Sequence, residues 1–247
     1  MASTSETGHA KNVANFEDLV SFCNGYGTTY NPSKASIKLT ALQTLSTNAK
    51  NAVNAVNSAL PAYSNAVSAR EAAFEPLNKL ITRVMNALKA TDTTSQVDES
   101  ARTLARKIQG SRATPKLTEE EKKALAEQGE EQKEISSSQM SYDSRLDNFD
   151  KLIKLLTSVT LYAPNEADLK VTALSTLYTD LKTKNTAVVT ATTPLSNARI
   201  ARNDVLYKDI IGMYDIAFDV KTYIKSLYGA TSPQYKQISG LKFTNAR

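Results

Sequence analysis

Tyr30–Leu45 reads YNPSKASIKLTALQTL and Tyr162–Leu177 reads YAPNEADLKVTALSTL; nine of these sixteen positions are identical without a gap. Ile37/Leu169 and Leu39/Val171 are conservative replacements. Upstream, Asn15–Val20 (NFEDLV) lines up with Asn148–Ile153 (NFDKLI). Downstream, Ser64-Asn65-Ala66 with Ala69-Arg70 mirrors Ser196-Asn197-Ala198 with Ala201-Arg202, and a proline, Pro61 or Pro194, precedes each. One such match is what alanine-rich helices produce by chance. Three in the same order at nearly one offset point to an internal duplication.

The copies are expected over residues 11–113 and 142–243, packed as one body. Residues 1–10 are expected to form a disordered tail, and 114–141 a charged connector that carries the acidic and basic run Thr118–Glu134. A run of this kind is ordinarily a solvated helix or linker.

Composition sets the class. Glycine occurs 8 times and proline 7 in 247 residues, while the apolar fraction is 41% and the charged fraction 22%. Scarce glycine favours helix, since glycine costs about 1 kcal/mol in a helix interior. Apolar residues recur at helical spacing in both copies: Val13, Phe16, Leu19, Val20 and Cys23 in one, Leu146, Phe149, Leu152, Ile153 and Leu156 in the other. Gly25 and Gly27 are expected to end the first of these helices.

The next helix is expected to begin after the Tyr-x-Pro turn, with Ser33 as N-cap in the first copy and Asn165 with Asp168 as a capping arrangement in the second. A 3-4 spacing then runs from Val53 through Val56, Leu60, Tyr63, Val67, Arg70, Phe74, Leu77, Ile81 and Val84 to Leu88. A second run comprises Leu206, Ile210, Met213, Ala217, Val220, Ile224 and Leu227. Such heptads describe helices packed at a shallow angle. Pro61 and Pro76 either break the first run into hairpins or kink a continuous helix, because proline removes a backbone bond and crowds the preceding turn. The unbroken phase favours the kinked helix, which over residues 33–90 would measure about 87 Å at 1.5 Å per residue. Shorter helices are expected over Val97–Ile108 and Pro233–Leu241. The predicted fold is an all-α, internally duplicated, elongated helical bundle with coiled-coil-like helices and pseudo-twofold symmetry.

Catalytic chemistry finds little to work with. His9 is the sole histidine and falls in the expected disordered tail, so no His-centred triad or His-metal site is expected, and with Cys23 as the sole cysteine, cysteine metal clusters and intrachain disulfides are excluded. Gly25-Tyr26-Gly27 lacks the lysine and hydroxyl partner of a phosphate loop. No enzyme activity, cofactor or metal is expected. The segment Met1–Asn12 is polar and lacks the apolar core of a secretory signal, and no run of about 18 apolar residues exists. The expected location is the cytoplasm.

Two residue sets are candidates for other roles. Arg70 and Arg202 fall in phase with the apolar stripe, and with Asn65 and Asn197 they would form a buried polar layer that fixes helix register, partnered by Glu71 or Asp204. Alternatively the arginine stems cover the core edge while the guanidinium groups reach water. Basic residues gather in the end elements of both copies: Arg102, Arg106, Lys107 and Arg112 in one, Lys221, Lys225, Lys236 and Lys242 in the other. Net charge is +5, which is mildly basic, and these groups read either as a solvated face or as a basic patch.

The segments Ser138–Leu156, Leu161–Val171, Pro194–Tyr207 and Val220–Phe243 resemble a group of helical proteins of Bacteroidetes bacteria. That resemblance implies no activity and no site residues. The expected function is a non-enzymatic structural or protein-interaction bundle that binds itself or another protein. The alternatives are a basic nucleic-acid-associated protein and, less well supported, a membrane-active helical pore-former, whose best segment, Val205–Val220, is interrupted by Lys208, Asp209, Asp215 and Asp219.

Overall fold

The computed structural model describes residues 7–111, 123 and 140–245. Most of the expected connector, and Arg112, lie outside the described residues. The chain is all-helical, and no strand occurs among the described residues. The helices are α1 (Thr7–Gly25), α2 (Leu39–Phe74), α3 (Leu77–Lys89), α4 (Ser95–Gln109), α5 (Tyr142–Ser158), α6 (Val171–Tyr207), α7 (Met213–Tyr228) and α8 (Pro233–Ser239). Short 3-10 turns at Ala35–Ile37 and Ala167–Leu169 precede α2 and α6. No described helix is long and apolar enough to cross a membrane.

The chain divides into two compact units, one of residues 1–64 with 190–247 and one of residues 65–189. Both boundaries fall inside the long helices, so α2 and α6 each contribute one part to each unit. The compact units therefore differ from the two copies expected from the sequence. Each unit takes the first half of one expected copy and the second half of the other.

Each unit closes over its own core. In the first, α1 buries Val13, Phe16, Leu19, Val20 and Cys23 against Met213, Ala217, Val220 and Ile224 of α7, with Leu206 and Ile238. In the second, α5 buries Leu146, Phe149, Leu152, Ile153 and Leu156 with Leu77, Ile81, Val84 and Leu88 of α3 and Ala101, Ala105 and Ile108 of α4. Each fully buried large side chain contributes about 1.5–3 kcal/mol over leaving it in water. The α1 and α5 ladders match member for member at one offset, as do Leu42, Ala49 and Val56 with Leu174, Leu181 and Val188. Leu77, Ile81, Val84 and Leu88 correspond in the same way to Met213, Ala217, Val220 and Ile224.

The prolines act differently. Pro61 and Pro194 lie inside continuous helices, both on exposed faces. There the carbonyls of Asn57 and Thr190, which lose their helical donors, can be hydrated. Pro76 instead stands between α2 and α3, so the expected single helix over 33–90 is corrected to Leu39–Phe74 followed by Leu77–Lys89. The phase survives because Phe74, Leu77 and Ile81 remain on the buried side.

Other expectations are corrected as well. Neither Ser33 nor Asn165 caps a helix, because a 3-10 turn intervenes and α2 and α6 start later, at Leu39 and Val171. The run through Leu206 and Met213 is interrupted after Tyr207, and Ile210 points to water instead of joining the core. The expected disordered tail is corrected at its end, since α1 begins at Thr7. His9 is only 3% exposed, and its Nδ1 lies 2.7 Å from the Tyr207 hydroxyl. The same oxygen accepts from Asn12 Nδ2 at 3.1 Å. Asn12 also bonds Thr244 through both main-chain groups, Nδ2 to O at 2.7 Å and N to Oδ1 at 3.0 Å.

Candidate functional site

The second unit carries a recess of about 480 Å³ between the outer face of α3 and the segment 161–169 that leads into α6. Its position follows from the Tyr-x-Pro motif. Tyr162 is buried, and its hydroxyl donates to the Leu169 carbonyl at 2.9 Å, which folds the segment back on itself. Burial pushes this hydroxyl up to about 12, so it stays protonated and keeps the bond. Arg83 and Asp168 then fasten the segment to α3 through a two-point ion pair, with Nη2 to Oδ1 at 3.1 Å. The guanidinium holds the Asp168 carboxyl below the ordinary carboxylate range. Both side chains are about half exposed, and pairs of that kind contribute little net stability.

The recess is lined by Ala87, Leu161, Tyr162, Pro164 and Leu169 and by the polar Arg83, Asn86, Thr91, Asn165 and Glu166. Polar and apolar groups contribute about equally to its surface, and it is open to solvent. Among the described residues, no group of three or more His, Cys, Asp or Glu side chains is placed to hold a metal ion.

The four residues expected to form one polar layer are not brought together. Asn65 and Asn197 lie on exposed faces, as do Glu71 and Asp204, because their positions on α2 and α6 point away from the cores. Arg70 and Arg202 belong to different units and have different surroundings. The Arg70 guanidinium carbon lies 3.9 Å from the Tyr142 ring centre. Its Nη1 donates to Asn185 Oδ1 at 3.2 Å, and Asn185 Nδ2 donates to Asp143 Oδ1 at 2.7 Å. Phe74 meets Tyr142 edge-on at 4.8 Å, and Arg145 lies 5.3 Å from the Phe74 ring. Cations and rings are thus interleaved at the edge of this core, a favourable arrangement where water is partly excluded. Arg202 is 5% exposed and donates from Nε and Nη2 to Asn203 Oδ1 at 3.1 and 2.9 Å.

The basic residues also divide between the units. Arg102 and Arg106 share Glu99, at 3.4 and 3.0 Å, and Lys107 is half-buried beside them. Lys221 donates to the carbonyls of Leu241 and Ser239 and sits 5.3 Å from the Phe243 ring, so it fastens the chain end to α7. Burial lowers its pKa. Lys225 lies 5.9 Å from the Tyr235 ring, while Lys236 and Lys242 are exposed.

One exposed apolar feature stands apart from these. The turn between α6 and α7 presents Ile210 and Ile211, which are 75% and 58% exposed. Ile210 has φ +72°, a region that crowds a β-branched side chain. The turn is held by the Ile210 N–H, which donates to Asp215 Oδ2 at 2.7 Å, and by the Gly212 N–H, which donates to the Lys208 carbonyl at 2.7 Å.

Compared with family models, curated proteins and solved structures, the chain matches none.

Proposed function

We propose that the chain is a non-enzymatic, internally duplicated helical scaffold that acts by binding protein, either another copy or a different partner. The observation that carries this reading is the Ile210–Ile211 turn. A β-branched residue at positive φ costs on the order of 1–3 kcal/mol, and an apolar pair left in water contributes nothing in return within the chain. A fold that keeps both in one turn is organised to present that turn to something outside it. Ile200, on the same unit, is a further exposed apolar residue. The duplication is supported by the matched burial ladders and by the Tyr30 and Tyr162 hydroxyls. Each donates to the carbonyl seven residues on, at 2.7 and 2.9 Å.

Affinity capture from native cells with the full chain as bait tests the interaction reading, with Ile210→Ser/Ile211→Ser as the paired control. The reading expects specific proteins, the chain itself included, to be retained by the natural sequence and lost from the double variant. Identical captured sets from both baits would remove it.

A further inference from the structure

The two units use one device and fill it differently. In the first, α7 packs against the turn Ala35–Ile37, and in the second α3 packs against Ala167–Leu169. Tyr30 and Tyr162 occupy the same place in these segments and make the same hydroxyl-to-carbonyl bond. Along the helices, Ala87 precedes the buried Leu88 as Tyr223 precedes the buried Ile224. One turn earlier, each helix carries the charge that pairs with its segment. Arg83 bonds Asp168, and Asp219 bonds Lys34 at 2.5 Å.

At the position itself the units differ. In the first, the Tyr223 ring meets Tyr30 edge-on, with centres 5.4 Å apart at 86°, and its hydroxyl accepts from the Asn31 N–H at 3.2 Å. In the second, Ala87 brings no ring to that position, and it lines the recess together with Tyr162. The N–H corresponding to Asn31 is that of Ala163, which turns to its own Leu161 carbonyl at 3.1 Å.

We propose that this recess is a receptor for one phenol ring, which enters where Tyr223 stands in the other unit and packs edge-on against Tyr162. The ligand class is read from the chain's own occupant: an aromatic ring of tyrosyl size with one hydroxyl that accepts a main-chain N–H. Replacement of the local Ala163–Leu161 bond by the ligand hydroxyl supplies the polar contact. The shape supplies the rest, since aromatic pairs favour the edge-to-face arrangement already present in the first unit. The proposal rests on the correspondence of α3 with α7, independently of the Ile210–Ile211 reading.

Amide spectra of the full chain, titrated with N-acetyl-tyrosinamide, test it. Saturable shifts are expected at the amides of Ala87 and Ala163, with the phenylalanine analogue weaker by about two- to tenfold for want of the hydroxyl. Ala87→Tyr is expected to abolish these shifts and to raise Tm by about 2–4 °C, because it supplies the missing ring from within. Tyr223→Ala gives the reciprocal case, in which new saturable shifts appear at Asn31. The source of the ring is separated by p-cresol. Equal affinity for p-cresol indicates a free phenol, and tighter binding of the capped residue indicates a tyrosine of a polypeptide. An unmodified chain whose Ala87 and Ala163 amides do not move with any probe overturns the proposal. So does an Ala87→Tyr variant that still binds or that melts lower.

Discussion

The hydroxyl of Tyr30 donates to the main-chain carbonyl of Ile37 at 2.7 Å, and both residues are buried. This bond closes the Tyr-x-Pro segment into a fixed loop and sets where α2 begins. Replacing Tyr30 with Phe leaves that carbonyl without its tyrosine donor in a dry site, so a loss of about 1–3 kcal/mol is expected. Tyr162→Phe, which acts on Leu169, should lose a similar amount. Urea unfolding with unchanged slope checks both.

Alkaline pH should destabilise the chain in a defined window. Burial pushes the Cys23 thiol up from 9.0 to about 12. Between those values the unfolded chain releases a proton that the folded chain retains, so stability falls as pH rises from about 9 towards 12. Tyr162, whose hydroxyl is also pushed up to about 12, adds to the fall above its ordinary value of 10.0. Well below pH 9, where the unfolded thiol is still protonated, neither group contributes a slope. Urea midpoints from pH 7 to 11 check the direction, and Cys23→Ala should remove the part that begins near pH 9.

The polar cluster joining α1 to the chain end should be sensitive to a single oxygen. Tyr207→Phe removes the group bonded by both His9 Nδ1 and Asn12 Nδ2. A loss of about 1–3 kcal/mol is expected. Hydrogen exchange at Thr244, whose N–H donates to Asn12 Oδ1, should accelerate more than exchange in α3 of the other unit.

Gly212 should not tolerate a side chain. A Cβ at this position would lie 2.6 Å from the main-chain N and O of Lys208, atoms that cannot swing aside. Gly212→Ala is expected to lower stability by more than about 1 kcal/mol, read from its thermal midpoint.

Much of the helical architecture was legible in the sequence. The α1 and α5 ladders, from Val13 to Cys23 and from Leu146 to Leu156, announce their buried faces by spacing alone. Gly25 ends α1 as a glycine at a helix end should. Spacing failed where apolar residues kept phase without keeping company. Ile210 continues the run from Leu206 to Met213 in sequence, yet the chain turns there and leaves it in water. His9 failed in the opposite way. A polar residue in a polar N-terminal stretch gives no local sign that a tyrosine nearly two hundred residues away will cover it. Arg70 and Arg202 stood out in the sequence because they fall in phase with the apolar stripe, but the shared polar layer expected of them is not formed. The partners of Arg70, Tyr142 and Asn185, are set by tertiary placement, while Arg202 bonds its own chain neighbour Asn203. The recess needed a comparison that only the proposed duplication suggests, Ala87 against Tyr223. It is hidden by the extra residues Lys208–Ile211, which shift the alignment beyond the long helices.

The turn at Ile210 gives the most direct measurement of the central claim, that this chain accepts a local cost in order to bind protein. Ile210→Gly with Ile211→Ser relieves the positive φ and removes both exposed side chains, so Tm should rise by an amount equivalent to about 1 kcal/mol. Partner capture, or self-association followed by light scattering, should be lost at the same time. Higher stability together with lost association is the predicted result. Association equal to that of the natural sequence, measured on a variant that folds as well or better, would contradict the account.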